Sequence, residues 1–103
     1  MILLIIRVEV SSTKRMELLQ TIASLSGSIR LEKGCQRCDF GQSIENENSL
    51  FLLEEWDTHE NLMTHLKSEH FKVIRGAMKL LKKPYEMVFY TGFHLDGIEE
   101  IYK

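Results

Sequence analysis

Four short stretches of the chain have the composition and spacing of β-strands. Residues 2–10 are apolar and β-branched almost without interruption at their start, which is typical of a strand covered on both faces. Residues 35–45 and 85–93 alternate apolar with polar or small side chains, as a half-buried strand does. Residues 49–56 are rich in leucine and end in an acid and an indole. The pattern therefore predicts four strands.

Between the first two strands, apolar residues recur at three- and four-residue steps, which predicts a helix. The hydroxyl side chains of Ser11, Ser12 and Thr13 are expected to cap its N-terminus, and Gly34 is expected to end it. Gly27 lies within this segment and is a candidate point of loosening, because glycine weakens a helix interior. The first helix is thus expected between residues 11 and 34.

A second helical segment follows the third strand. Asp57 and Glu60 have the spacing of a capping box, so this helix is expected to start near Thr58. Ser68 offers a second N-cap, which divides the segment into two short helices, and Pro84 blocks its continuation. The resulting order is β-α-β-β-α-β, an α+β split βαβ arrangement with a four-stranded antiparallel sheet and the helices on one face.

The third strand indicates a sheet that is apolar on both faces, because Leu50 and Leu52 alternate with Phe51 and Leu53. The two helical segments cover only one of these faces. The simplest cover for the other face is the same face of a second copy. We therefore expect a two-fold homodimer whose sheets enclose a shared apolar interior.

Length, composition and charge limit the number of domains, the kind of partner and the location that the chain is expected to have. With 103 residues, 44% of them hydrophobic, and one proline, the chain is expected to form one domain over residues 1–103, with residues 94–103 as a C-terminal tail. A net charge of −2 argues against nucleic acid or an anionic membrane as a partner and favours a small molecule or a protein. The apolar residues 1–6 are too short to cross a bilayer and include no basic leader, so a cytoplasmic location is expected.

Three short motifs resemble one known family. They are E-x-W at Glu54–Trp56, H-x5-F from His65 to Phe71, and K-G-C at Lys33–Cys35. Together they are similar to the antibiotic biosynthesis monooxygenase family, and the resemblance covers essentially the whole chain. It implies a quinol-monooxygenase-like dimeric α+β barrel of ferredoxin-like protomers, with an apolar pocket between sheet and helices. Several members of that family oxidise quinols or polycyclic phenols with O2 and need neither metal nor flavin.

Such chemistry assigns roles to the residues of these motifs. A quinol or phenol reacts with O2 as its anion, so the site needs a general base, an aromatic wall and little water. His65 is the candidate base, since its pKa needs only modest tuning. Glu54 and Trp56 share one strand face, where the carboxylate could orient the imidazole and the indole could stack on a planar substrate. Phe71 would line the pocket, and core packing of the same side chains is the alternative.

No cofactor or metal is expected. Where the haem-degrading branch of the resembling family has asparagine, tryptophan and histidine, this chain has Ile6, His65 and Arg75. Cys35 and Cys38 form a C-x-x-C pair, but three residues along a strand place two thiols on opposite faces, which favours reduced core cysteines. The histidines lack the spacing of a helical chelate.

Two other functions stay open from the sequence. One is a non-catalytic dimeric module that binds a small apolar ligand in the same pocket, and the other is an isomerase of a small carbonyl metabolite in the same barrel. An oxidation that uses an imidazole base is expected to accelerate as the pH rises through about 6–7. A binding module would show no turnover.

Overall fold

The computed structural model describes residues 1–92, 97 and 99 of the chain. The order β-α-β-β-α-α-β is that of the predicted ferredoxin-like fold, with the second helix divided as expected. The predicted tail over residues 94–103 falls almost wholly outside the described residues. The elements in chain order are β1 (Ile2–Glu9), α1 (Arg15–Arg30), β2 (Cys35–Gln42), β3 (Ser49–Trp56), α2 (His59–Leu66), α3 (Glu69–Ala77), a 3-10 turn (Met78–Leu80) and β4 (Glu86–Thr91).

The four strands form one antiparallel sheet in the order β2-β3-β1-β4. β1 and β3 lie at its centre, in a register that pairs Ile6 with Leu52 and Leu4 with Glu54. Paired residues of an antiparallel sheet point to the same face, so this register decides which side chains meet the helices. The pairing of β2 with β3 confirms the predicted hairpin and the antiparallel sheet.

The core lies between the helices and one face of the sheet, called the helix face below. Along β1 every second residue from Ile2 to Val8 is buried there, as the alternation of a strand requires. Within residues 1–92, no helix has the length and apolar composition needed to cross a lipid bilayer. The buried apolar residues are Ile2, Leu4, Ile6, Val8, Val10, Leu18, Ile22, Ile29, Cys38, Leu50, Leu52, Trp56, Leu62, Phe71 and Ile74.

The opposite face of the sheet, called the outer face below, carries apolar side chains of three strands. Phe51 and Tyr90 on this face are 39% and 50% exposed. The homodimer that would cover the outer face stays a prediction. The half-buried apolar residues of the outer face are Leu3, Ile5, Leu53 and Val88.

The predicted cap of α1 is wrong. Lys14 is the N-cap residue of α1, and no side chain caps the helix. A backbone turn precedes it, in which the Lys14 N–H donates to the Ser11 carbonyl, and the hydroxyls of Ser11 and Thr13 contact each other at 3.2 Å. The hydroxyl run therefore lies too early to reach the free amides of α1. The helix continues through Gly27 without a break.

Two caps make the corner at which β3, α2 and α3 meet. Thr58, not Asp57, caps α2, since its Oγ1 accepts a hydrogen bond from the Asn61 backbone N–H at 3.1 Å. Asp57 accepts from the Asn61 side chain at 2.9 Å, so the predicted capping box is wrong by one residue. Ser68 caps α3 as predicted and accepts from the Phe71 N–H at 3.2 Å. The two short helices therefore join at Ser68.

Candidate active site

β3 places an acid and an indole at its C-terminal end. Glu54 and Trp56 are two residues apart, so both side chains point to the helix face, as the alternation predicts. Both are fully buried, and Trp56 Nε1 donates a hydrogen bond to Glu54 Oε1 at 2.9 Å. A carboxyl group at this depth needs further polar partners, because burial of an unpaired charge is costly.

α2 and α3 bring a histidine and a phenylalanine onto this pair. His65 lies in the last turn of α2, and its imidazole stacks on the Trp56 indole with ring centroids 4.5 Å apart. Phe71 of α3 meets the imidazole edge-on at a centroid distance of 5.3 Å. The four predicted site residues thus form one buried group, called the His65 cluster below: Glu54, Trp56, His65 and Phe71. Their catalytic and binding roles stay predictions.

Two carboxylates flank the imidazole of His65. Nε2 lies 3.0 Å from Glu54 Oε1, and Nδ1 lies 3.0 Å from Glu32 Oε1. The Nδ1 contact has hydrogen-bond geometry. By contrast, Nε2 and the second Glu54 oxygen, Oε2, are buried without an aligned hydrogen-bond partner in the described part of the chain. A polar group of a ligand would therefore gain most at these two atoms.

The pKa of His65 reflects these neighbours. Burial alone lowers the pKa, because the imidazolium loses its water, but the carboxylates of Glu54 and Glu32 outweigh burial and raise it above the ordinary value for histidine. Nε2 of a neutral ring and the facing Glu54 oxygen would both be acceptors, so a proton between them removes their repulsion. The site therefore favours the imidazolium form.

A further acid and histidine extend the cluster toward the surface. Glu32 lies in the turn between α1 and β2, and its Oε2 is 3.1 Å from Nδ1 of His70 in the first turn of α3. Sequence analysis does not single out Glu32, because an acid in a turn, 33 residues before its partner His65, carries no periodic signal. Its place just ahead of the K-G-C motif is the only sequence feature that marks it.

Gly34 fixes the turn that carries Glu32. Its φ is +84°, in the left-handed region that favours glycine, and its carbonyl accepts a hydrogen bond from the Asp57 N–H at 3.0 Å. A Cβ at this position would overlap the Asp57 carboxylate and the Asn61 side chain. Glycine therefore lets the turn approach the start of α2 closely, which brings Glu32 to His65.

Cys35 and Cys38 lie on the same face of β2, so the prediction of opposite faces is wrong. A bulge between Cys35 and Arg37 adds one residue, and Cys35 then pairs with Trp56 while Cys38 pairs with Glu54. Burial first, and the Glu54 carboxylate second, raise the pKa of Cys35 to about 11 and that of Cys38 to about 12. Both thiols are free and protonated at neutral pH, which makes them weak nucleophiles.

The His65 cluster is closed to solvent in the single chain. Two cavities, of about 550 and 510 Å³, lie at the C-terminal end of α3 and beside the end of β1, and no residue of the cluster lines either of them. Trp56 stacks on His65, not on an open surface, and Phe71 contacts the imidazole edge-on. Within residues 1–92, 97 and 99, no group of three or more His, Cys, Asp or Glu side chains is arranged to hold a metal ion.

The chain matches the family model described as antibiotic biosynthesis monooxygenase over residues 1–77. This range contains the whole His65 cluster together with Glu32 and His70. A comparison with curated protein sequences found no match.

Solved structures share the fold. A proposed antibiotic biosynthesis monooxygenase from Deinococcus radiodurans is 19% identical with a TM-score of 0.88, and the alignment covers 97% of this chain and 100% of that one. Another, from Nitrosomonas europaea, is 21% identical with a TM-score of 0.84, covering 91% of this chain and 100% of that one. A conserved protein from Methanosarcina mazei is 30% identical with a TM-score of 0.82, covering 86% of this chain and 89% of that one.

Proposed function

The chain belongs to the antibiotic biosynthesis monooxygenase family, and we propose that it oxidises a small aromatic molecule, a quinol or a polycyclic phenol, with O2 and without a bound cofactor. The observation that carries this proposal is the His65 cluster together with Glu32, in which the buried imidazole lies between two carboxylates and contacts two aromatic rings. Such a site supplies a base and a dry aromatic surface for an oxygen-sensitive anion.

His65 is the proposed general base, and Nε2 is its reacting atom. A carboxylate only accepts hydrogen bonds, so the contact with Glu32 places a hydrogen on Nδ1 and leaves Nε2 as the basic nitrogen of the neutral ring. A substrate hydroxyl that donates to Nε2 would satisfy this buried atom. Trp56 supports the arrangement by donating to Oε1 of Glu54, the oxygen that lies 3.0 Å from Nε2. Glu54 and Trp56 are therefore proposed to orient the imidazole.

The proposed oxidation balances with O2 alone. Transfer of the hydroxyl proton to His65 gives a phenolate, which passes one electron to O2, and the radical and superoxide then combine through a new C–O bond at a ring carbon that bears hydrogen. His65 returns the proton to the peroxide. The O–O bond then breaks, the hydrogen on carbon leaves with the outer oxygen as water, and a carbonyl remains. The substrate supplies all four electrons that reduce O2, so no other reductant enters.

Substrate binding requires the cluster to rearrange. Trp56 and Phe71 cover the imidazole from two sides, so a planar substrate reaches Nε2 only when one ring moves. Phe71 is the proposed mobile ring, because the Arg75 guanidinium lies 4.6 Å from its centroid and Arg75 also lines the cavity of about 550 Å³. After this movement Phe71 would line the substrate pocket and Trp56 would stack on the substrate.

We also propose that the protein acts as a homodimer formed through the outer face. Phe51 and Tyr90 belong to an apolar patch of three strands, and patches of this kind mark interfaces in soluble proteins. A cytoplasmic location and a single domain over residues 1–103 stay predictions.

A non-catalytic module that binds a small apolar ligand is the second candidate. The closed state of the cluster favours it, since His65 is buried and both of its ring nitrogens already face carboxylates. Such a module would bind aromatic ligands and consume no O2.

Oxygen consumption separates the two candidates. Wild type and His65→Ala are compared with a panel of reduced quinones and anthrone-like phenols, with His59→Ala, an exposed histidine of the same helix, as the matched control. If His65 is the base, its variant loses about 10²–10⁴-fold in rate while circular dichroism shows an unchanged fold and the control keeps its rate. Equal turnover in His65→Ala removes His65 as base. Binding without turnover in wild type favours the module.

A further inference from the structure

The cavity of about 550 Å³ at the C-terminal end of α3, called the α3 cavity below, has a lining of mixed chemistry. Half of its lining residues are basic, the other half are apolar or aromatic, and none of the described residues that line it is acidic. The basic residues are Arg75, Lys79, Lys82 and Lys83, and the others are Met78, Leu81, Pro84 and Tyr85. Such a lining suits a small molecule that has both a negative charge and an apolar body.

The local structure brings these residues together from two segments. Arg75 and Lys79 are four residues apart, so they share one side of the helical run that α3 and the 3-10 turn form. Leu81 then leaves the helical conformation, and the chain returns toward β4 through Pro84. The Tyr85 hydroxyl accepts a hydrogen bond from the Arg75 guanidinium at 3.2 Å. The α3 cavity therefore lies between the helical run and the returning segment.

Most of the positive charge in the α3 cavity has no acidic partner. Lys83 Nζ lies 3.1 Å from Glu9 Oε2. In the part of the chain that the structure describes, the ion pairs do not include Arg75, Lys79 or Lys82. The whole chain has a net charge of −2, so this concentration of cations is a local feature. A concave site lined by one sign of charge attracts ions of the other sign.

The position of the cations at a helix C-terminus does not account for the whole cavity. Basic side chains at such an end stabilise the helix without any ligand, because they offset its dipole. The dipole is equivalent to only about half an elementary charge, less than the three cations without an ion pair, so the cavity still attracts an anion. Dipole stabilisation also needs no apolar wall, whereas Met78, Leu81 and Tyr85 are half-buried along this cavity.

We propose that the α3 cavity binds the carboxylate of an aromatic acid, and that the substrate of the proposed oxidation is a quinol or phenol that carries this group. Arg75 is the proposed anchor, because a planar guanidinium can donate two parallel hydrogen bonds to one carboxylate. Lys79 and Lys82 add positive charge. The assignment to the substrate rests on the proposed function, whereas binding of the carboxylate does not depend on any reaction.

Arg75 links the α3 cavity to the His65 cluster. Its guanidinium carbon lies 4.6 Å from the Phe71 ring centroid, which lies 5.3 Å from the imidazole centroid of His65. One two-ring molecule can therefore place a carboxylate at Arg75 and a hydroxyl at His65 once the Phe71 ring has moved. The carboxylate also competes with the Phe71 ring for the guanidinium, and a charge-assisted hydrogen bond is stronger than a cation–π contact at an exposed side chain. Binding of the acid is thus expected to release Phe71.

Calorimetry with the probes 2-naphthoate and 2-naphthamide tests the site without any reaction, because the two molecules share one ring system and differ in charge. We expect wild type to bind naphthoate at least about tenfold more tightly than naphthamide, by an advantage that shrinks as the salt concentration rises. Arg75→Gln should remove most of this preference, and Lys79→Gln should weaken naphthoate binding about 1.5- to 5-fold. Lys72→Gln is the matched control and should bind as wild type does, because Lys72 is an exposed lysine of α3 that pairs with Glu69 and does not line the cavity.

Steady-state oxidation tests the assignment to the substrate. A naphthoquinol that carries a carboxylate is compared with the same quinol that carries an amide. We expect wild type to have a KM at least about tenfold lower for the acid than for the amide, and Arg75→Gln to remove most of this difference. A variant that only disturbed the fold would raise both KM values and keep their ratio.

The outcomes separate the site from the proposed reaction. Equal affinity of wild type for naphthoate and naphthamide overturns the site, even if the protein oxidises a neutral quinol. Equal weakening in Lys72→Gln and Lys79→Gln indicates a general attraction to basic surface and also overturns the site. Selective binding that Arg75→Gln and Lys79→Gln weaken supports the site, even if no quinol is oxidised and the proposed reaction fails.

Two further results complete the test. If Arg75→Gln does not fold, Lys79→Gln decides, because Lys79 is exposed. Selective binding of naphthoate together with equal KM values for the acid and amide quinols would support the site and overturn its assignment to the substrate.

Discussion

On the helix face of the sheet an acid and a histidine, Glu54 and His65, are completely buried, whereas on the outer face Phe51 and Tyr90 are 39% and 50% exposed. Each face thus carries side chains in an environment that destabilises a single chain: buried ionisable groups on the helix face and exposed aromatic rings on the outer face. On the helix face, the free-energy cost of burying Glu54 and His65 is offset within the chain by the Glu32 carboxylate and by the rings of Trp56 and Phe71. On the outer face, the described residues leave Phe51 and Tyr90 exposed, and the proposed homodimer would cover them.

The burial of Glu54 and His65 is better explained by a function than by stability. A buried ion pair is often no more stabilising than apolar residues of the same shape, so stability alone does not explain why it is present. The outer-face pair of Arg7 and Glu86, 3.2 Å apart and mostly exposed, adds only about 0–1 kcal/mol. This contrast supports the proposed roles of the buried pair in the reaction and of the exposed apolar patch in the homodimer.

Removing the buried carboxylate should have the largest effect on folding. Glu54→Ala leaves the His65 imidazolium without its neighbour at Nε2, and we expect a loss of about 3–5 kcal/mol in the free energy of unfolding, measured with urea. Glu55→Ala is the matched control, because Glu55 is the next residue of β3 and points to the outer face, and it should change stability by no more than about 0.5 kcal/mol. Equal losses in the two variants would contradict the contrast between the faces.

Glycine substitutions test how the turn supports the buried site. Gly34→Ala forces a Cβ into the Asp57 carboxylate at a φ of +84°, and should cost about 1–3 kcal/mol. Gly27→Ala adds a Cβ to the exposed side of α1, with no atom within 4 Å, and should instead stabilise the protein by about 0.5–1 kcal/mol. Thermal unfolding of both variants measures the difference. A neutral Gly34→Ala would mean that the turn does not depend on glycine.

Local patterns predict most of the helix face. The period-two alternation of residues 49–56 places Glu54 and Trp56 on one side of a strand whose observed bounds are the predicted ones. Helical spacing and the Ser68 cap likewise place His65 and Phe71 at the ends of two adjoining helices. These features depend on neighbours in sequence, which is why the sequence reveals them.

Features that depend on turns and bulges are not predictable in this way. Glu32 reaches His65 only because the Gly34 turn folds against α2, a contact between distant parts of the chain. One extra residue in β2 brings Cys35 and Cys38 to the same face, and strict alternation cannot show such a bulge. The sequence predicts the α2 cap at Asp57, one residue before the observed cap Thr58, because Asp57 is an equally good capping residue.

The pH dependence of the unfolding free energy should come from His65 on the helix face. The raised pKa of His65 contributes stability that is complete below the pKa of an unfolded histidine, about 6.5, and is lost as the pH rises through the higher folded value. The slope of the unfolding free energy against pH should reach at most about 1.4 kcal/mol per pH unit, the value for one proton. This slope should vanish in His65→Gln.

Urea unfolding across neutral to mildly alkaline pH measures this slope. Oxidation by neutral His65 should increase over the same range in which stability falls, at higher pH than the 6–7 expected for an ordinary histidine. A slope that persists in His65→Gln would assign the titration to another group.

A charge on the outer face should have the smallest effect on the folding of the chain itself and a large one on its assembly. Phe51→Glu places a carboxylate in the proposed interface, whereas Phe89→Glu changes the same residue type at nearly the same exposure, 41%, on the helix face of β4. Sedimentation should show a dimer for wild type and Phe89→Glu and a monomer for Phe51→Glu, because an interface tolerates an unpaired buried charge poorly. Measured on the dissociated chain, the unfolding free energy of Phe51→Glu should change by no more than about 0.5 kcal/mol. A wild-type protein that sediments as a monomer would contradict the proposed homodimer.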